Sequence, residues 1–160
     1  MSIEKGTTPV AEAEGPVVRK ATLEELDAIK SIADSNKDLI GFVLRPALAE
    51  NISRQWVLVA EIGGQIIGFA NYRHRRDHQT TLYEICVATA HRGNGVGKEL
   101  MTALYMESRN LGQRCVRLKC PVNNAANVFY ERLGFVRVGE EAGKRRALAI
   151  WEYRSLEDDR

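Results

Sequence analysis

The sequence predicts an α/β chain: one mixed central sheet of about six to seven strands, flanked by helices. Three observations lead there. Two apolar strand-like runs meet at Gly63-Gly64, a strong antiparallel hairpin signal. A further strand-like run at 81–87 leads into a glycine-rich loop and a long stretch of helical periodicity. A strand at 115–120 follows that helix, so it and 81–87 should be parallel neighbours joined by a right-handed crossover.

Taken in order, residues 17–20 form a short strand. Thr22-Leu23-Glu24-Glu25 reads as a capping box opening a helix to about Ser35, with Leu23, Leu26, Ile29, Ile32 and Ala33 on its apolar face. The pattern breaks over 36–41, and 46–51 is a second short helix carrying Leu48 and Ile52 inward. Strands at 56–60 and 66–70 flank the glycine pair, a polar loop spans 73–79, and the strand 81–87 follows. In the helix at 96–110, Val96, Leu100, Ala103, Leu104 and Leu111 recur at helical spacing, and Gly112 is its stop. After the strand 115–120 come a last helix, 124–133, and strands near 135–138 and 147–153. The order is β-α-α-β-β-β-α-β-α-β-β.

At 160 residues, with 44% apolar and 28% charged residues, the chain suits one compact domain over 16–160 behind a flexible tail, 1–15. A net charge of +2 is too mild for a nucleic-acid-binding face. No run approaches the roughly 18 apolar residues of a membrane span, and the first 15 residues carry Glu4, Glu12 and Glu14 without an apolar stretch. A cytoplasmic protein is expected. Cys86, Cys115 and Cys120 are odd in number and lack CxxC spacing, which reads as reduced, buried hydrophobes. His74, Asp77 and His78 sit among Arg73, Arg75 and Arg76, a setting unfavourable for a cation, so a solvated basic loop is expected there and no metal.

Chemistry concentrates in Arg92-Gly93-Asn94-Gly95-Val96-Gly97, between a strand and a helix start. Glycines let the backbone approach a ligand closely, and a helix's first N–H groups and dipole favour an anion. The ligand should carry phosphates. A P-loop is disfavoured because Gly97-Lys98 is followed by Glu99 and Arg92 stands six before Lys98. A dinucleotide site is disfavoured because Arg117-Leu118-Lys119 occupies the place of the ribose-binding acid. The loop instead resembles the acyl-CoA pyrophosphate signature of the GNAT superfamily of N-acetyltransferases, R/Q-x-x-G-x-G/A, at Arg92, Gly95 and Gly97. A second segment, Asn123 to Phe135, resembles that family's later motif, N-x-x-A-x-x-x-Y-x-x-x-G-F, at Asn123, Ala126, Tyr130, Gly134 and Phe135.

The resemblance implies an acetyl-CoA cosubstrate and a strand, 81–87, that bulges and splays from its parallel neighbour so that pantetheine lies between them. It assigns Ile85, Cys86 and Val87 backbone contacts with pantetheine, one of them an oxyanion donor. Arg92, Gly93, Asn94, Gly95, Val96, Gly97 and Lys98 would meet the phosphates, although Lys98 also reads as merely solvated. Asn123 and Ala126 would line the pantetheine channel, with Asn123 or Asn124 capping the helix. Tyr130 would protonate the departing thiolate. Glu84 is the ionisable side chain well inside the apolar strand; it reads either as the general base for the amine or as the partner of a surface Arg or Lys. The acceptor is then a small-molecule or peptide amine, a small molecule being favoured slightly. A homodimer is compatible with the resemblance, and a noncatalytic acyl-CoA-binding module is the alternative.

Overall fold

A computed structural model describes residues 15–154; the expected tail, Gly15 apart, lies outside the described residues. The strands are β1 (Val17–Lys20), β2 (Val57–Ile62), β3 (Gln65–His74), β4 (Gln79–Val87), β5 (Cys115–Pro121), β6 (Val136–Ala142) and β7 (Ala147–Tyr153). The helices are α1 (Leu26–Ser35), the single turn α2 (Lys37–Ile40), α3 (Arg45–Ser53), α4 (Val96–Asn110) and α5 (Ala126–Leu133). The strands form one seven-stranded sheet in the order β1-β2-β3-β4-β5-β7-β6. β4 and β5 are parallel, and all other neighbours are antiparallel.

Alternation along β2 divides the core into two layers, and a bulge at Ile67 of β3 sends it and Phe69, two residues on, to opposite faces. Val57, Val59, Phe69 and Cys86 pack with Ile29 and Ala33 of α1 and Leu48 and Ile52 of α3. Leu58, Ala60, Ile67 and Tyr72 pack on the opposite face with Leu100, Met101 and Leu104 of α4. The hairpin turn falls at Gly63-Gly64, with φ of 57° and 83°, the left-handed pair that matches the sheet's twist.

Several expectations need correction. The Thr22/Glu25 capping box forms, Thr22 N–H donating to Glu25 Oε1 at 2.9 Å, but it opens a 3₁₀ turn over Leu23–Glu25. That tighter turn sets Leu23 off the buried stripe of α1, leaving it exposed. Leu111 is exposed too, because it caps α4 beyond the last full turn. The break at 36–41 contains α2, built on the buried Asn36, whose carbonyl accepts from Leu39 and Ile40 N–H.

The polar loop shrinks to 75–78, since Arg73 and His74 belong to β3 and Gln79 opens β4. His74 is thus not in a solvated loop. Its Nε2 lies 2.7 Å from Glu107 Oε2 and its Nδ1 2.8 Å from Thr80 Oγ1. A carboxylate only accepts, so Nε2 is the donor to Glu107. Glu107, on α4, also takes the Tyr72 hydroxyl at 2.8 Å and the Lys20 ammonium at 2.5 Å, tying β1, β3 and α4 together.

Burial alone pushes the Glu107 carboxyl up, but the bonds from His74, Lys20 and Tyr72 outweigh it and hold it at about 2. A folded value below the ordinary 4.5 gives stabilisation that is present above that pH and lost as the pH falls toward 2. Glu107→Gln is expected to cost about 2 kcal/mol at neutral pH and to flatten the acid-side loss of stability. Urea denaturation from about pH 7 down to about pH 2 measures both effects.

Candidate functional site

β4 and β5 pair only at Gln79↔Cys115, Thr80↔Val116 and Thr81↔Arg117. Beyond that point β5 continues on β7 through Pro121, whereas 82–87 keeps only β3 as a neighbour. The divergence starts at a bulge: Asn71 opposes Glu84 and Tyr72 opposes Leu82, so Tyr83 has no partner on β3. A bulge bends its strand and sharpens its twist, which carries the end of β4 away from β5. The resulting fork opens a cleft of about 620 Å³ between β4, the loop after it and α5.

The loop is shaped for an anion. After a 3₁₀ turn at Thr89–His91, Gly93 and Gly95 take φ of 82° and 81°, and Gly95 caps α4 in the left-handed region. An L-residue pays roughly 1–2 kcal/mol there. Gly97, one residue into α4, has a different reason: a Cβ would stand 3.3 Å from Phe129 Cζ and 3.4 Å from Leu133 Cδ2. The start of α4 therefore lies against α5, and its unbonded first-turn N–H groups face the cleft. Loop backbone, helix dipole and Lys98 on the rim fit a pyrophosphate, and the apolar fork behind them fits a thioester-bearing chain.

Tyr130 lines the cleft, and Glu84, just outside its walls, is near enough for its charge to act on the Tyr130 phenol. Tyr130 is 6% exposed, and burial, then the nearby Cys120, Glu84 and Cys86, push its phenol well above the ordinary value. The Tyr130 hydroxyl therefore keeps its proton at any working pH. Burial raises the Glu84 carboxyl to about 7 against the opposing bond from Asn71, whose Nδ2 donates to Oε1 at 2.8 Å. Among the described residues no Arg or Lys forms an ion pair with Glu84. Burial also lifts the thiols of Cys86 and Cys120 to about 11.

Of the sequence-derived set, Ile85, Cys86, Val87, Arg92, Gly93, Gly95, Val96, Gly97, Lys98, Ala126 and Tyr130 line the cleft. Asn94 and Asn123 are exposed and, like the half-buried Glu84, outside its walls; Asn123 Oδ1 accepts from Arg146 Nη1 at 3.1 Å. Asn124 caps α5 by accepting from Ala126 N–H at 2.7 Å, and its Nδ2 donates to the Leu39 carbonyl at 3.1 Å. Arg92 is committed to the protein: Nε donates to the Val87 carbonyl at 3.1 Å and Nη2 to Asn36. Its side chain anchors the loop to the end of β4. Sequence reasoning missed Asn36, Asn71 and Asn51; an amide between Ala70 and Tyr72, deep in an apolar strand, was the available signal. Among the described residues no cluster of three or more His, Cys, Asp and Glu is placed to hold a metal, and no helix is long and apolar enough to cross a membrane.

Comparison with known proteins fits this geometry. Residues 53–137 match the family described as acetyltransferase (GNAT) domain. The chain is 35% identical over 130 residues to the 5-NmdU N-acetyltransferase of Pseudomonas phage PaMx11, a match covering 79% of this chain and 91% of the relative. It spans about half or less of the other N-acetyltransferases it matches, such as N-acetyltransferase 8 of mouse. Among solved structures, ribosomal-protein-alanine N-acetyltransferase from Brucella melitensis is 28% identical, with 87% of this chain and 99% of that one covered and a TM-score of 0.68. The fold is also that of the PaiA N-acetyltransferase of Thermoplasma acidophilum, solved in complex with coenzyme A: 19% identity, 89% and 100% coverage, TM-score 0.75.

Raising a carboxyl above its unfolded value has a stability cost with a definite sign. Folding favours the protonated form, so this stability is fully present below about 4.5 and is lost as the pH rises through about 7. Glu84→Gln, which keeps the shape without the charge, is expected to match the wild type near pH 4 and to exceed it by about 2 kcal/mol near pH 8. Denaturant melts at the two pH values decide it; equal stability at both would refute the buried charge.

Proposed function

The chain belongs to the GNAT family of acetyl-CoA-dependent N-acetyltransferases, and we propose that residues 16–160 act as one domain that acetylates the primary amine of a small molecule by direct attack in a ternary complex. The observation that carries this reading is a carboxyl poised near neutrality at the edge of the cleft, its charge felt by a cleft-lining phenol that holds its proton. Glu84 takes the proton of the acceptor ammonium, leaving its lone pair free to attack the thioester carbonyl. Backbone N–H groups along 85–87 on the β5 side of β4 have no strand opposite them and support the charge that develops on the carbonyl oxygen.

As the carbon–sulfur bond breaks, Tyr130 gives its proton to the sulfur. A phenol well above 10 is a weak acid in water, but the fork disfavours sulfur anions as well: the protein's own thiols there sit at about 11. A thiolate formed between the same walls is a correspondingly stronger base.

A small acceptor is supported by the rim. α2 contributes Leu39 and Ile40 to the cleft and is tied to the start of α5 by Asn124, so apolar side chains held in place border the opening. The phage relative, named for 5-NmdU, is matched over most of its length, whereas the Brucella structure is named for a ribosomal-protein alanine. A panel containing both small amines and peptides therefore tests the class directly.

Mass spectrometry of free CoA formed from acetyl-CoA and that panel is expected to show release with small amines. Tyr130→Phe is expected to lower turnover about 100-fold, and Glu84→Gln by a similar factor while abolishing the fall in turnover below about pH 7. Wild-type turnover in Tyr130→Phe removes the general acid, and release with peptides alone removes the small-molecule assignment.

A further inference from the structure

Behind Glu84 runs a chain of amides that neither the glycine loop nor the thiolate acid requires. Asn71 of β3 faces Glu84 of β4 directly, because the bulge at Tyr83 advances β4 by one residue there. In an unbulged ladder Tyr83 would take that position. Asn71 Nδ2 is 2.8 Å from Glu84 Oε1, and Asn71 Oδ1 is 2.7 Å from Nδ2 of Asn51 on α3. Asn51 Nδ2 also lies 3.3 Å from the Tyr72 carbonyl oxygen.

These contacts have a fixed direction. A backbone carbonyl can only accept, so the edge of Asn51 that faces Tyr72 must be its NH₂ group. That group then faces Asn71, which must answer with its oxygen. The Asn71 NH₂ is left pointing at Glu84, where it needs an acceptor. Asn71 is 6% exposed, so water does not freely replace either partner. Each amide orientation follows from the one behind it, starting at a main-chain group that cannot turn over.

Accordingly, we infer that Asn71 and, behind it, Asn51 are positioning residues that hold Glu84 in its proton-accepting form and fix which of its oxygens is left free to take a proton. Neither touches the reacting atoms. The inference rests on Glu84 acting as base. It adds that the strength of that base is set by a neutral donor whose orientation is dictated from α3. A merely structural Asn71 would affect folding and leave the titration of Glu84 where it was. A positioning Asn71 moves that titration in a known direction, since losing a donor to the carboxylate disfavours the charged form.

The test follows turnover at saturating acetyl-CoA and amine against pH, together with ¹³C-NMR titration of the Glu84 carboxyl in the free protein, for wild type, Glu84→Gln, Asn71→Leu and Asn51→Leu. In Asn71→Leu both the acid limb and the Glu84 resonance are expected to move alkaline by about one pH unit, a roughly tenfold loss of turnover on the limb. Asn51→Leu, which leaves Asn71 in place but free to rotate, is expected to give a smaller shift in the same direction. A Glu84 resonance unmoved in both Leu variants overturns the inference. An acid limb that survives in Glu84→Gln overturns the general-base reading instead, and the NMR titration then still decides whether the amides tune the carboxyl.

Discussion

Parallel strands β4 and β5 share three residue pairs and then part at Thr81↔Arg117. Backbone groups in a sheet interior normally find a partner, because leaving one buried and unpaired costs about as much as losing a hydrogen bond. Here the separation is enforced from both sides. β5 is held by six pairs to β7, and β4 is held by β3 through a ladder that absorbs an extra residue at Tyr83. Neither strand can close the gap without giving up its other neighbour. The space between them, the half-ladder along 82–87 and the approach of α5 over the opening all follow from that competition.

The protein treats two half-buried carboxylates, Glu84 on β4 and Glu107 on α4, in opposite ways. Glu107 receives a hydroxyl, an ammonium and an imidazole N–H, and is held as an anion far below neutrality. Glu84 receives one neutral amide, and burial prevails. The difference lies in the donors within reach and not in depth alone, which is how a single fold keeps one carboxylate for structure and another near the pH at which protons are exchanged.

Much of this was legible in one sequence. The two motifs are legible through their resemblance to the GNAT family. The sheet's element order and the bounds of α4 follow from glycine placement and periodicity, since a turn's backbone requirement and a helix's repeat are local properties. The left-handed Gly95 and the crowded Gly97 are such cases. What escaped depends on register. His74 looks like part of a basic loop because its neighbours are Arg73 and Arg75; only the β3–β4 pairing shows that it turns inward to Glu107, 33 residues away. Asn71 meets Glu84 because of a one-residue bulge that no composition signal marks. Arg92 matches a phosphate motif, yet its guanidinium is engaged by Val87 and Asn36, contacts set by how α1 ends.

The three cysteines bear on how this chemistry can be watched. Cys86, Cys115 and Cys120 are free and buried, and burial lifts each thiol above its ordinary value. Disulfide-exchange dyes react with exposed thiolates, and these side chains offer neither the exposure nor the ionised sulfur at mildly alkaline pH. In the native protein such a dye therefore reports the coenzyme's liberated sulfhydryl with little background from the protein. The appearance of dye signal from the protein itself becomes a marker of unfolding, so one colour change can follow turnover in native samples and loss of structure in heated ones.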